Sequence, residues 1–342
     1  MSLGAAGRCH DVLLTLCGGA VLAAVLTGCL DPDEPGNLVP KTVADDPSIP
    51  HIEINGTRLH SEAFGNSEHP MVMTLHGGPG GDYRGILPLQ ELADDGYYVV
   101  FWDQRGCGLS ERHDADTYSM DQYLEDLRQV IEHYSTAPDQ PVMFIGHSWG
   151  AMYATWFINE YGDYGGRVRG AVLSEPGAFT YQELEDYMPR LMGSFELTSE
   201  EINDATWSAQ FLSAVGHERA DYLSAMRTSG GAPAEHLDPD NPAPSWRSGS
   251  VVNARLLELG EETNFDWTTN LDAFTQQVLF LRGELNEAND LSDQEKLAAH
   301  YPDSEVVTIP GVGHEMIWER PTEYLDHVRT YFQRVGFAGG QP

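Results

Sequence analysis

Five residues constrain this chain more than any others. Gly146-His147-Ser148-Trp149-Gly150 joins a wholly apolar run, Val142–Ile145, to a segment running from Trp149 to about Tyr161 that reads as a helix. A short apolar run without alternation is the pattern of a strand buried on both faces. A serine set between such a strand and a helix, with a glycine two residues away on each side, fits the sharp turn that lifts a hydroxyl clear of a sheet. The glycines let the backbone turn tightly and keep Cβ atoms away from the serine. The helix N-terminus favours negative charge developing beside it. A glycine-rich strand-to-helix turn without chemistry is the competing reading, and the flanking strand and helix argue against it.

The rest of the chain agrees with that arrangement. Met71–Leu75, Tyr98–Trp102, Pro141–Ile145, Val168–Leu173, Gln277–Leu281 and Glu305–Ile309 read as strands. Gly85–Asp94, Met120–Tyr134, Asp293–His300 and Pro321–Val335 read as helices between or after them. Ile52-Glu53-Ile54 and Leu59-His60-Ser61 flank Asn55-Gly56, a strong hairpin signal. Alternation of this kind implies an α/β fold with a mostly parallel sheet and helices on both faces. It breaks between about residues 180 and 267, where four helical pieces are expected: Tyr181–Met192, Ser199–Leu212, His217–Met226 and Val251–Leu259. A polar loop, Ser229–Ser250, separates the last two. A helical insertion between two sheet strands is most simply a cap above the strand ends, where ligands bind in such sheets.

A serine nucleophile needs a base. His314, in Gly311-Val312-Gly313-His314, alone among the 13 histidines lies in a glycine-flanked loop after a late strand. An oxyanion needs backbone amides aimed at one point. His76-Gly77-Gly78-Pro79-Gly80 follows the strand Met71–Leu75, which makes Gly78 the first expected donor and Trp149, directly after the serine, the second.

The N-terminus reads as a targeting segment. Val12–Leu26 is almost wholly apolar, preceded by Arg8 and closed by Leu26-Thr27-Gly28-Cys29. A run of about 15 residues suits a signal peptide better than a spanning helix. The four closing residues resemble a bacterial lipobox, so residues 1–28 are expected to be removed and Cys29 lipidated. A plain secretory signal is the alternative. The Pro- and Asp-rich stretch 29–50 is expected to tether this anchor to a body built from residues 51–179 and 268–342. Of the remaining cysteines, Cys9 and Cys17 lie in the signal and only Cys107 stays, so no intrachain disulfide is expected. No metal-binding spacing occurs and no cofactor is expected. The formal charge of −34 repels nucleic acid and anionic membrane surfaces, leaving the lipid anchor as the expected membrane contact.

His76-Gly77-Gly78-Pro79-Gly80, the stretch Trp102 to Ser110 (WDQRGCGLS) and the Ser148 turn together resemble the proline iminopeptidase family of α/β-hydrolases. The resemblance covers about residues 50–335. It implies the α/β-hydrolase fold with a helical cap, and release of an N-terminal residue, often proline, from short peptides. It also implies structural roles for Asp103 and Arg105. The cap's Glu183, Glu185, Asp186, Trp207 and Trp246 are residues that could recognise substrate. His147 stands where the family usually has glycine, as in many esterases. At the family's acid position the sequence Arg282-Gly283-Glu284-Leu285-Asn286-Glu287 places Asn286. Three accounts stay open at this point. Glu287 takes the role, or activity is weak or absent, or the acid has moved to Glu175 at the end of the preceding strand, as in some haloalkane dehalogenases. Glu175 is the favoured acid; binding a substrate ammonium is its rival role. A small peptide is the expected substrate, with an ester or lactone as the alternative and a non-catalytic surface lipoprotein as the reading from another class.

Overall fold

The computed structural model describes residues 39–193, 216–228 and 242–340. Eight strands form one sheet: β1 (His51–Ile54), β2 (Thr57–Phe64), β3 (Met71–Leu75), β4 (Tyr98–Trp102), β5 (Val142–His147), β6 (Val168–Ser174), β7 (Val278–Gly283) and β8 (Ser304–Ile309). Their spatial order is β1-β2-β4-β3-β5-β6-β7-β8. The β1–β2 and β2–β4 pairs are antiparallel and all others parallel. The hairpin forms where Asn55-Gly56 predicts it. Both residues hold positive φ, and Ile54 pairs with Thr57 across a two-residue turn.

Period-two alternation along the central strands builds two cores. Met73, Val100, Phe144 and Leu173 point to one face, under α1 (Met120–Tyr134) and α2 (Trp149–Tyr161). Val72, Phe101, Ile145, Val172 and Leu279 point to the other, where Tyr324, Val328 and Phe332 of the last helix pack. Because both faces are covered, β3 and β5 are buried at every residue and read as continuous apolar runs.

Two expectations need correction. The helix expected over Gly85–Asp94 is a 3₁₀ segment, Tyr83–Ala93, started by Asp82, whose side chain accepts from the Arg84 amide, and containing Pro88, which has no amide to donate. The expected tether is packed on the body from Val39 onward. Val39, Thr42 and Val43 are buried, and the Val43 amide donates to Leu109 O at 2.8 Å. Two valines four residues apart in a turn make no periodic signal, so this docking was invisible in the sequence pattern. The signal segment, the lipobox with Cys29, the helix expected over Ser199–Leu212 and most of the loop Ser229–Ser250 lie outside the described residues.

The insertion contributes α3 (Tyr181–Gly193), α4 (His217–Thr228) and α5 (Ser250–Thr263). The chain leaves and rejoins the body at one neck, where Tyr181 N donates to Phe265 O and Trp267 N to Phe179 O, both at 2.9 Å. α3 begins with a reciprocal cap: the Glu183 amide bonds Thr180 Oγ1, and the Glu183 carboxylate accepts from the Phe179 and Thr180 amides. After the insertion come α6 (Leu291–Ala298), α7 (Met316–Glu319) and α8 (Pro321–Arg334). No helix of the described residues is long and apolar enough to cross a membrane.

Candidate active site

The site is assembled at the C-terminal ends of adjacent parallel strands. His147 and Ser174 are register partners at the ends of β5 and β6, so the next residue on each strand, Ser148 and Glu175, turns outward beside the other. Both adopt φ values that side chains rarely take, +55° for Ser148 and +50° for Glu175. Such conformations cost about 1–3 kcal/mol each and persist only where the surroundings fix them. Here Ser148 N donates to Ser174 O at 2.8 Å, and Glu175 N to Leu281 O at 3.0 Å.

The glycines of the turn are steric requirements. A Cβ on Gly146 would stand 2.4 Å from Gly150 O, and one on Gly150 would stand 2.0 Å from Leu75 O. Helix α2 therefore starts in contact with β3, and Ser148 is left half-buried at the floor of a cleft.

His314 follows β8 in the expected loop and lines the same cleft. Its Nδ1 donates to Glu175 Oε2 at 2.5 Å, which leaves Nε2 for the serine side. His314 is held from a second direction by His147. That buried side chain donates from Nε2 to the His314 carbonyl at 2.8 Å, with ring centroids 4.6 Å apart. Burial, and then the adjacent His314 charge, lower the His147 pKa. The neutral form of His147 is thereby favoured.

Glu175 is wholly buried and fully engaged. Gly283 N donates to Oε1 at 2.7 Å, and Asn286 Nδ2 donates to Oε2 at 2.7 Å. Burial opposes its ionisation. The hydrogen bond and charge of His314 and the two donors from the β7 loop outweigh that, and its pKa lies below the ordinary value. Glu287, the alternative acid, is exposed, because the turn after Gly283 directs Asn286 inward and its successor outward. Asn286 is therefore a donor to the same Glu175 carboxylate that accepts from His314. Sequence showed only a missing acid there.

The residues expected to supply the oxyanion donors, Gly78 and Trp149, line the same cleft as Ser148. Gly77 and Gly78 line the cleft, and a Cβ on Gly77 would lie 3.2 Å from Ser148 Cβ. Gly78 has φ +135°, and a Cβ there would strike the amides of Gly80 and Gly81. Trp149 is the first residue of α2, and a helix leaves its first four amides without intrahelical partners. Gln104 fastens these parts together. Its Oε1 accepts from the Trp149 indole at 2.9 Å, its Nε2 donates to His76 O at 3.0 Å, and its backbone amide donates to His76 Nε2 at 3.0 Å. From the cap, Gly249 N donates to Gly80 O at 2.7 Å and Asn253 Nδ2 to Pro79 O at 2.5 Å. Gln104 lies in the Trp102–Ser110 stretch but had no role readable from the sequence, and nothing there singled out Asn253.

Asp103 and Arg105 support the loop between them and do not line the cleft. Asp103 accepts from His60 Nδ1 at 2.7 Å and from the amides of Tyr83 and Leu109. Arg105 makes a two-point pair with buried Asp126 at 2.8 and 2.7 Å. Of the cap residues named from sequence, Glu183 serves the α3 cap and bonds His300, Glu185 and Asp186 are exposed, and Trp246 packs against His60 and Tyr83. Trp207 lies outside the described residues. The cleft holds about 520 Å³ and is mainly apolar, with Leu184, Met188, Leu256, Phe265 and Trp267 on its cap side. Among the described residues no group of three or more His, Cys, Asp or Glu side chains is placed to hold a metal ion.

Fold and site together define a class. Residues 70–321 match the alpha/beta hydrolase fold family, and the chain belongs to it. A proline iminopeptidase of Saccharolobus solfataricus is 23% identical over 282 residues, covering 77% of this chain and 85% of that protein. A proline iminopeptidase of Heyndrickxia coagulans is 27% identical over 296 residues, covering 83% and 98%. The crystal structure of a thermophilic esterase from Thermogutta terrifontis shares the fold, with a TM-score of 0.57 at 21% identity over 84% of this chain and 97% of that one.

Proposed function

We propose that the chain is a serine aminopeptidase of proline iminopeptidase type, working through an acyl-enzyme. The observation that carries the chemistry is the continuous support from Asn286 and Gly283 to Glu175, and from Glu175 to His314, beside a strained, cleft-facing Ser148. Ser148 Oγ attacks the scissile carbonyl while His314 Nε2 takes its proton. Glu175 stabilises the imidazolium, and the amides of Gly78 and Trp149 receive the oxyanion. His314 then protonates the leaving amine, and a water activated by the same base releases the acyl group. The amide-bond preference draws support from relatives of that name aligning along most of the chain.

Hydrolysis of esters by the same residues is the second reading, favoured by the apolar cap side of the cleft. The test is turnover of a prolyl arylamide against a short aryl ester. Arylamide turnover that vanishes in Ser148→Ala supports the aminopeptidase, whereas ester turnover alone overturns it. The proposal includes export and lipidation at Cys29, supported by the apolar run before Leu26-Thr27-Gly28-Cys29. Loss of membrane association in Cys29→Ala tests it; unchanged association contradicts it.

A further inference from the structure

The cap and the loop expected to supply an oxyanion donor meet at two glycines. Gly80 holds φ +90°, and a Cβ there would stand 2.7 Å from Gly249 O and 2.9 Å from Asn253 Cβ. A Cβ on Gly249 would in turn lie 2.2 Å from Gly106 O. This close approach lets the start of α5 donate to two successive carbonyls of the loop. Asn253 Nδ2 donates to Pro79 O at 2.5 Å, and Gly249 N to Gly80 O at 2.7 Å. A planar trans peptide points its N–H away from its C=O. Turning these two carbonyls to the cap therefore turns the amides of Gly80 and Gly81 the other way. A Cβ on Gly78 would stand 2.5 and 2.6 Å from those two nitrogens, so they fix where Gly78 can sit.

The first turn of α5 is itself anchored. Buried Asp221 of α4 accepts from the Ser250 amide at 3.0 Å and from Arg247 Nε at 2.7 Å. Arg112, on the body, pairs with the same carboxylate at 3.2 Å and donates to Ser110 O at 2.8 Å. The Arg247 amide donates to Asp82 Oδ2 at 3.1 Å. Beyond that turn the same face of α5 lines the cleft through Leu256 and Gly260, at helical spacing from Asn253.

From this geometry we infer that Asn253 is a positioning residue for the oxyanion site: by holding Pro79 O, the cap sets the place of the Gly78 amide beside Ser148. The cap then serves the chemical step as well as covering the cleft. A substrate pressing on Leu256 and Gly260 acts on the helix that holds the loop. This rests on the serine-hydrolase chemistry proposed above, with Gly78 as a donor, and is the same for an amide or an ester substrate.

The test uses whichever of a prolyl arylamide and a short aryl ester the wild type turns over, together with a trifluoromethyl ketone analogue of it. Ser148 Oγ adds to the ketone carbon, His314 takes its proton, and the resulting hemiketal oxygen is an oxyanion held by the same donors as in turnover. In Asn253→Leu, kcat should fall and Ki for the ketone should rise by about 10- to 100-fold, as expected for a displacement of roughly 1 Å, while KM changes little. Asn253→Gln, which keeps a donor, should recover part of both; Asn253→Asp, which has none, should not. Partial unfolding lowers kcat but leaves Ki and KM in place, so a fall in kcat with an unchanged Ki overturns the assignment. So does a parallel rise of Ki and KM, an unaltered variant, or a wild type that the ketone does not inhibit. If wild type turns over neither substrate and Ser148 is not labelled by a fluorophosphonate, the hydrolase reading itself fails, a result visible before any variant is made.

Discussion

Asn286 donates from Nδ2 to Glu175 Oε2, the oxygen that also receives His314 Nδ1. The two residues lie at the ends of neighbouring strands, β7 and β6, and meet at one carboxylate oxygen that also faces His314. An asparagine cannot stabilise an imidazolium by charge, but it can hold a carboxylate that does. The arrangement places a single negative charge behind His314 and satisfies it from two sides.

That relationship predicts how Asn286 variants behave. In Asn286→Leu a buried carboxylate oxygen loses a donor, which costs about 1–3 kcal/mol and should lower kcat roughly tenfold near neutral pH. With one donor fewer, Glu175 directs more of its charge at His314 and raises the imidazole's basicity. The acid limb of the kcat/KM profile should therefore move to higher pH. A limb that stays in place or moves down would contradict the role assigned to Asn286.

His60 and Asp103 make a second buried pair away from the nucleophile. Burial disfavours the His60 cation, but the charge and hydrogen bond of Asp103 prevail, and its pKa lies above the ordinary value. A histidine with a raised folded pKa contributes stability that is complete below its unfolded pKa of about 6.5 and is lost as pH rises through the folded value. The gap in melting temperature between wild type and His60→Gln should thus be wider at about pH 6 than at about pH 9. A gap that widens with pH would show that His60 is held neutral.

Gly150→Ala probes the turn itself. The added Cβ would meet the Leu75 carbonyl oxygen, a backbone atom, at 2.0 Å. Overpacking of this kind typically costs 1–3 kcal/mol, so a loss of about 3 kcal/mol is expected, measured by denaturant unfolding. A change of less than about 0.5 kcal/mol, the range of ordinary surface substitutions, would mean that α2 is not seated on β3 as described.

The strands, most helices and the Ser148 turn were legible in the sequence because each is a local pattern. Apolar runs mark strands buried on both faces, Asn55-Gly56 marks its hairpin, and two glycines mark the turn. His314 was legible from its place after a late strand. What escaped depends on contacts between segments far apart in the chain. Asn286 looked like a loss until β6 and β7 were seen side by side. Gln104 bridges Trp149 and His76 across 45 and 28 residues. Val39 and Val43 dock without any periodic signal. Glu175 was suggested from its place at a strand end, but its burial, and the exposure of Glu287, could not be read from the sequence.

The most direct measurement is the rate at which a fluorophosphonate labels the wild-type protein and the Glu175→Gln and Glu287→Gln variants, with the adduct located by peptide mass spectrometry. We predict an adduct on Ser148, slowed by about 10⁴-fold in Glu175→Gln, as when a triad carboxylate is replaced by its amide, and near the wild-type rate in Glu287→Gln. A wild-type protein that is not labelled at Ser148, or equal rates in wild type and Glu175→Gln, would contradict it.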